Sequence, residues 1–318
     1  MKQIKLCCLL LFISIGAFSQ QFLRPQDWKK YKKEVFFTTG SANFLGDLGG
    51  RPKQGTDYSP ADLNFNQTRT AFGVGARYKI TKKVSIAGKL DYLVVKGDDA
   101  SGDKYRKARN LNFKSNIFEF SARVEAGFQR TKKGGGHYGV QRNYAKYKNI
   151  NQGIFGFIGI GVFYFNPKGK IPGTNNYVEL RPLHTEGQGL AGGPKQYSKF
   201  SVCIPVGVLY KVTIKKKWSF GAEFCYRKTF TDYIDDVGGS YYDPVKLTNA
   251  YGPLSAQMSN PYKPDLSLGQ KISDTYPAAD GTPAQRGDKQ KDVYLSLQVT
   301  LGYTFKKAKK SARLRSKF

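Results

Sequence analysis

The run Asp292 to Phe305, DVYLSLQVTLGYTF, constrains this chain more than any other stretch. Val293, Leu295, Leu297, Val299, Leu301, Tyr303 and Phe305 are apolar, while Asp292, Ser296, Gln298, Thr300, Gly302 and Thr304 between them are polar or small. Successive strand side chains point to opposite faces, so one face of this strand meets hydrocarbon and the other meets something polar. A soluble sandwich shows the same alternation over shorter lengths. Here it persists well past the mean soluble strand of about five or six residues and covers the roughly nine to eleven that a tilted transmembrane strand needs. Tyr303 and Phe305 at its end supply the aromatic girdle expected at a membrane interface.

Seven earlier runs also read as strands, the first of them with mixed faces. The pattern predicts strands at Glu34–Phe44, Ala71–Ile80, Val84–Val94, Asn116–Phe128, Ile154–Phe165, Ser201–Ile214 and Trp218–Phe230. Thr81-Lys82-Lys83 and Lys215-Lys216-Lys217 read as tight turns joining hairpins. Strand four sets Phe118, Phe120, Ala122, Val124, Ala126 and Phe128 against Glu119, Ser121, Arg123 and Glu125. Charges of mixed sign on a buried face are ruinous in an oily core unless paired. Strand five lacks a polar face, and its glycines at 156, 159 and 161 suggest close packing against a bulky neighbour. Lys96–Ser115, Asn166–Phe200 and Thr231–Lys291 read as long loops.

The fold class expected is therefore all-β: an eight-stranded antiparallel transmembrane β-barrel with long external loops. Both termini, the lysine turns and the long basic connection from Gln129 to Gln152 fall on one side, which the short-turn pattern makes periplasmic. The interior of an eight-stranded barrel is just filled by side chains. Arg77, Lys89, Asp91, Glu119, Arg123, Glu125, Glu223 and Arg227 are then expected to form a packed ionic core, not a wide pore.

The 318 residues carry a formal net charge of +29. Residues 1–19 have the form of a cleaved signal peptide: Lys2 and Lys5, the apolar run Leu6 to Ala17, then Ala17-Phe18-Ser19. Cys7 and Cys8 precede the leucines and make no lipoprotein cleavage site. Removing this segment leaves about +27. Residues 20–33 are a basic lead-in, 34–305 the barrel and 306–318 a basic tail, KKAKKSARLRSKF. Cys203 and Cys225 lie on adjacent strands, but Cys203 falls opposite position 228 or 229, so both are expected to be free thiols. No stretch after the signal reaches the length of a membrane helix.

In this order, NFLGDLGG, GDDA, RNLNFKSNIFEF, FYFNPKG, LHTEGQG, TFTDYIDDVGGSYYDP and QRGDKQKD run through the chain between Asn43 and Asp292. These blocks resemble the PorG-type outer-membrane barrel of the Bacteroidota type IX secretion system, over about Glu34 to Phe305. The resemblance implies a non-enzymatic component of the type IX secretion and associated gliding machinery, contacting its periplasmic ring of a PorK-type lipoprotein and its PorN-type partner. The basic tail is not part of that pattern. The alternative is a general small outer-membrane surface barrel with adhesin or lipid-binding loops.

Asp98, Asp99, Asp232, Asp235 and Asp236 fall in external loops and are the candidates for a calcium ion. Without EF-hand spacing, turn capping is the favoured reading. No cofactor or small-molecule substrate is expected. His184, with Glu186 nearby, is the best general base, but no serine motif accompanies it and His137 sits in a basic loop, so an enzyme is not expected. The charge alone suits nucleic acid, yet export argues against such a partner, and outer-membrane lipid and an acidic periplasmic surface remain. Lys132, Lys133, Arg142 and Lys146 are the candidate partner-binding residues, on the charge of the periplasmic side.

Overall fold

The computed structural model describes residues 27–48, 64–102, 104–131, 150–261, 284–287 and 290–307. Residues 1–19, the partner candidates Lys132, Lys133, Arg142 and Lys146, and the tail beyond residue 307 lie outside these.

The strands are β1 (Lys33–Leu45), β2 (Arg69–Lys79), β3 (Val84–Asp98), β4 (Asn112–Thr131), β5 (Ile150–Lys170), a short β6 (Tyr177–Glu179), β7 (Phe200–Ile214), β8 (Trp218–Thr229) and β9 (Val293–Phe305). Every pairing is antiparallel. β1 pairs with β9 from Lys33↔Phe305 to Leu45↔Val293, and β4 pairs with β5, so the sheet has no free long edge. Eight strands thus close a barrel, and β6 adds only a short flap to the end of β5. Closure satisfies the backbone groups that an open sheet leaves exposed at its edges.

Alternation sets the two faces as the sequence predicts. Leu297, Val299 and Leu301 point out from β9, while Ser296, Gln298 and Thr300 are buried in the lumen. At the turn after β7, Lys215 and Lys216 both have positive φ, 49° and 62°, and Lys217 N donates to the Ile214 carbonyl at 3.2 Å. The register pairs Ile214 with Trp218, so residues 215–217 make a three-residue turn, and its two positive-φ lysines reverse the chain between the strands. In the other tight turn the Thr81 hydroxyl accepts from the amides of Lys83 and Val84 at 3.1 and 3.0 Å.

Strands four and five are longer than predicted: β4 has 20 residues and β5 has 21. Together with β3 they continue past the rim as a tongue. Val94 and Val95 of β3 are both buried, so the strand is covered on its two faces there. The predicted loop Lys96–Ser115 is corrected accordingly, since it holds the end of β3, helix α1 (Lys104–Arg109) and the start of β4. The predicted loops Asn166–Phe200 and Thr231–Lys291 hold the end of β5 with β6, and helices α2 (Pro244–Tyr251) and α3 (Pro253–Ser259). Pro244 opens α2 while Asp243 caps it, its Oδ1 accepting from Val245 N at 2.9 Å. Proline at the first helical position and aspartate at the cap are the residues a helix start favours.

The largest apolar core lies at this outer end. Leu48, Val95, Leu111 and Phe113 pack there with Phe163, Phe165, Leu180, Ile234, Val237, Met258 and Tyr294. This explains the absence of a polar face on strand five. Ile154, Ile158 and Ile160 look outward, Phe163 and Phe165 enter the cap core, and Phe157 lies under the Arg123 guanidinium, 4.2 Å from ring centroid to Cζ. Gly159 also points inward, and a Cβ there would lie 2.8 Å from the Arg123 Cα and Cβ.

Candidate functional site

The lumen contains five cations, Arg77, Lys89, Arg123, Lys211 and Arg227, and five carboxylates, Glu34, Asp91, Glu119, Glu125 and Glu223, all buried. Near the termini, Glu34 binds Arg77 at 2.9 Å and Lys211 at 2.6 Å, and accepts from the Ser219 hydroxyl at 2.7 Å. Arg77 reaches across to Glu125 through both Nε and Nη2, and the Ser85 hydroxyl completes that carboxylate at 3.0 Å. Mid-barrel, Arg123 holds Glu223 with two parallel bonds of 2.8 and 2.6 Å. Lys89 joins Glu223 and Asp91, each at 3.0 Å, and also donates to the Gln298 side-chain oxygen. Toward the cap, Arg227 donates to Ser296 at 2.7 Å and to Asp91 at 3.3 Å, while the Tyr294 hydroxyl donates to Glu119 at 3.0 Å.

All eight charged residues expected in the lumen are there, in one connected network. Sequence reading missed Glu34 and Lys211. Both follow from parity: Glu34 shares the inward face of Phe36 and Thr38, and Lys211 that of Leu209 and Thr213. Gln298 lies buried on the polar face of the last strand, as predicted. A bidentate guanidinium–carboxylate pair fixes geometry as well as charge. The arrangement fills the barrel with matched side chains.

Above this plug the loops fold into a cap held by two arginines. Arg109 holds Asp99 with bonds of 2.7 and 2.9 Å and also donates to the carbonyls of Asp47 and Arg286. Arg286, itself buried, donates to Glu186 at 3.1 Å and to the carbonyls of Asp236 and Ser259. Asp236 accepts from the Tyr197 hydroxyl at 2.6 Å and from Thr185, and Asp292 accepts from Ile234 N at 2.8 Å. Asp47, Asp99, Arg109, Glu186, Asp236, Arg286 and Asp292 come from six of the seven sequence blocks that carry the PorG-type resemblance. Those blocks, spread over the chain, meet in one hydrogen-bonded unit.

No family model matches the chain, and no curated protein does. Among solved structures it is similar to Neisserial surface protein A, with 11% identity, 86% of this chain and 97% of that one covered, and a TM-score of 0.34. It is similar also to Ail, the attachment invasion locus protein of Yersinia pestis (8% identity, 86% and 99% covered, TM-score 0.33). A third is the outer membrane protein AlkL (11% identity, 92% and 98% covered, TM-score 0.32). The barrel is assigned from its own strand register, independently of these likenesses.

The loop aspartates serve the cap as turn and ion-pair partners. Asp98 accepts from Ala100 N at 3.0 Å and pairs with Lys96 at 3.2 Å, Asp235 accepts from Val237 N at 3.0 Å, and Asp232 lies 3.7 Å from Lys291. Among the described residues no group of three or more His, Cys, Asp or Glu side chains is placed to hold a metal ion. His184 stacks on Tyr251 with ring centroids 4.1 Å apart, and its Nδ1 meets the Gln188 carbonyl at 2.7 Å. Glu186 is turned to Arg286 and to the Gly238 amide. Cys203 sits opposite Thr229 and Cys225 opposite Gly207, and both are free thiols, as the register argument predicts.

Burial pushes the Asp236 carboxyl up to about 6, although Arg286 and the hydroxyls of Thr185 and Tyr197 pull it back. Asp235 is raised in the same direction by burial and by the nearby Asp292 and Asp47. A carboxyl whose folded pKa is raised holds protons that the unfolded chain has lost, so the folded state loses stability as pH climbs from the unfolded value toward the folded one. The cap is therefore expected to resist urea better at pH 5 than at pH 7.5. Asp236→Asn should flatten that dependence, as read from the urea midpoint of a fluorophore attached at the cap. A midpoint that rises with pH would contradict this ionisation pattern.

Proposed function

We propose that this protein is a non-enzymatic β-barrel of a bacterial outer membrane, working as a sealed surface scaffold instead of a pore. The observation that carries this reading is the outward belt. Leu297, Val299 and Ile160 are 58%, 60% and 70% exposed, and comparable residues project from every strand around the circumference. Monomeric soluble proteins rarely expose contiguous apolar patches of more than a few hundred Å². Hydrocarbon is the medium in which such a belt is stable, and a closed barrel is the one strand arrangement that leaves no backbone group unpaired there. Trp218, Tyr303 and Phe305 join edge to face at the end of the belt, with centroids 5.0 and 5.3 Å apart, where an interfacial girdle belongs.

The matched lumen charges leave no continuous water column for ions. In planar bilayers the purified barrel is expected to give no large, steady conductance. Porin-like open channels would reject the sealed-scaffold reading.

A second reading is favoured by the meeting of the resemblance blocks in one cap and by the charge of the opposite end. It makes the protein a component of the type IX secretion machinery, whose cationic end contacts an acidic periplasmic ring of PorK and PorN type. A cationic face raises encounter rates with an acidic surface, and salt weakens the effect. Crosslinked membranes are expected to yield ring proteins on purification of the barrel. Recovery of the barrel without them returns the protein to the general surface-barrel class.

A further inference from the structure

The end of the barrel that carries the termini has one corner where lysines and lipid-facing aromatics are assembled from three separate segments. Trp28 lies in the short 3-10 turn Asp27–Lys30 ahead of β1. The Lys79 amide donates to the Lys32 carbonyl at 2.9 Å, and the Lys307 amide donates to the Lys30 carbonyl at 2.8 Å. These bonds tie the segment before the barrel to the end of β2 and to the segment after β9. The Lys32 ammonium lies 5.2 Å from the Trp28 ring centroid and 5.5 Å from that of Tyr78. Lys33 lies in the strand row between Tyr78 of β2 and Phe305 of β9. Tyr78 and Phe305 are 40% and 48% exposed on the outward face.

Among the described residues no carboxylate forms an ion pair with Lys32 or Lys33. The charges stand at the level of the aromatic girdle, with rings below them facing hydrocarbon. Lysine stems lie along apolar surface while their heads seek polar groups, and tryptophan and tyrosine favour the headgroup level. An ammonium held there against rings lacks an anion, and the anion available at that depth is a lipid phosphate. A soluble acidic protein meets charges that stand clear of the membrane. Lys32 and Lys33 instead sit directly beside lipid-facing rings.

We propose that Trp28, Lys32, Lys33 and Tyr78 form a binding site for the headgroup of an anionic phospholipid, which seats the barrel at a fixed depth on that side of the membrane. This rests on the membrane reading above.

Trp28 itself reports on the site. In a Trp218→Phe background it is the sole tryptophan, because the chain has 2 Trp. The full-length protein is refolded into phosphatidylcholine vesicles containing brominated phosphatidylglycerol or, separately, brominated phosphatidylcholine. Quenching by the anionic lipid is expected to show a relative affinity up to roughly thirtyfold above the neutral one, as two surface lysines would give. Lys32→Gln with Lys33→Gln should bring that ratio close to unity while heat-modifiable gel mobility shows the barrel folded. Lys32→Arg with Lys33→Arg should retain it.

Equal quenching by the two lipids, or a preference that survives the glutamine pair, overturns the proposal. Loss of binding to soluble polyglutamate in the glutamine variant, with lipid preference intact, also overturns it and makes the corner a protein-docking surface. If no heat-modifiable form appears in either lipid, the membrane reading fails along with it.

Discussion

Glu223→Ala is expected to destabilise the barrel by about 3–5 kcal/mol, the range for removing one member of a buried ion pair and leaving the other uncompensated. Glu223 is fully buried and takes the forked guanidinium of Arg123 together with the ammonium of Lys89. Its removal strands two cations in mid-lumen with only Glu125 and Asp91 beside them. Glu223→Gln keeps the shape and some of the hydrogen bonds, so its loss should be smaller. The check is reversible urea unfolding in lipid vesicles, followed by tryptophan fluorescence. A loss below about 1 kcal/mol for the alanine variant would mean that water reaches this level and screens the charges, contrary to the sealed-scaffold proposal.

Leu297→Arg is expected to cost about 2–4 kcal/mol in the same assay, the penalty for a cation on the lipid face near the bilayer midplane. Leu297 pairs with Ser41 on one side and Phe224 on the other, midway along β9. Lys228→Arg, near the outer end of the outward face of β8, should be close to neutral. If the arginine at 297 were tolerated equally well, the belt would not be facing hydrocarbon.

The parts of this architecture that alternation controls were legible in the sequence. β9 appears within one residue of its predicted start, the lysine turns join the hairpins expected, and Cys203 falls opposite Thr229 as counted. The mixed charges on β4 gave away the lumen, because no apolar core tolerates Glu119, Arg123 and Glu125 on one face. Alternation fails where a strand is covered on both sides. The outer ends of β4 and β5, from Asn112 to Ser115 and from Asn166 to Lys170, look like loop because polar residues and Pro167 interrupt the pattern, and only tertiary cover by the cap keeps them extended.

The cap itself could not be derived from periodicity. Its helices are short, with α2 at 8 residues and α3 at 7, and its order comes from Arg109 and Arg286 reaching residues far away in sequence. Distant pairing of this kind leaves no local signature. Glu34 is hidden for a different reason: the faces of β1 are mixed in the sequence, and its partners Arg77 and Lys211 lie on other strands.

The tongue of β3, β4 and β5 gives the cap a mechanical connection to the barrel. The cap is built on the same strands that line the lumen, and the β4–β5 ladder runs unbroken from Lys114↔Lys168 at the cap to Thr131↔Asn151 at the opposite rim. Hydrogen bonds in an antiparallel pair lie perpendicular to the strands. A pull on the cap along the strand axis draws β4 and β5 the same way, so it loads the ladders to their flanking strands in shear, and many bonds share the force at once instead of opening one after another. A tug from outside would move the barrel as a rigid body before it stripped off the cap.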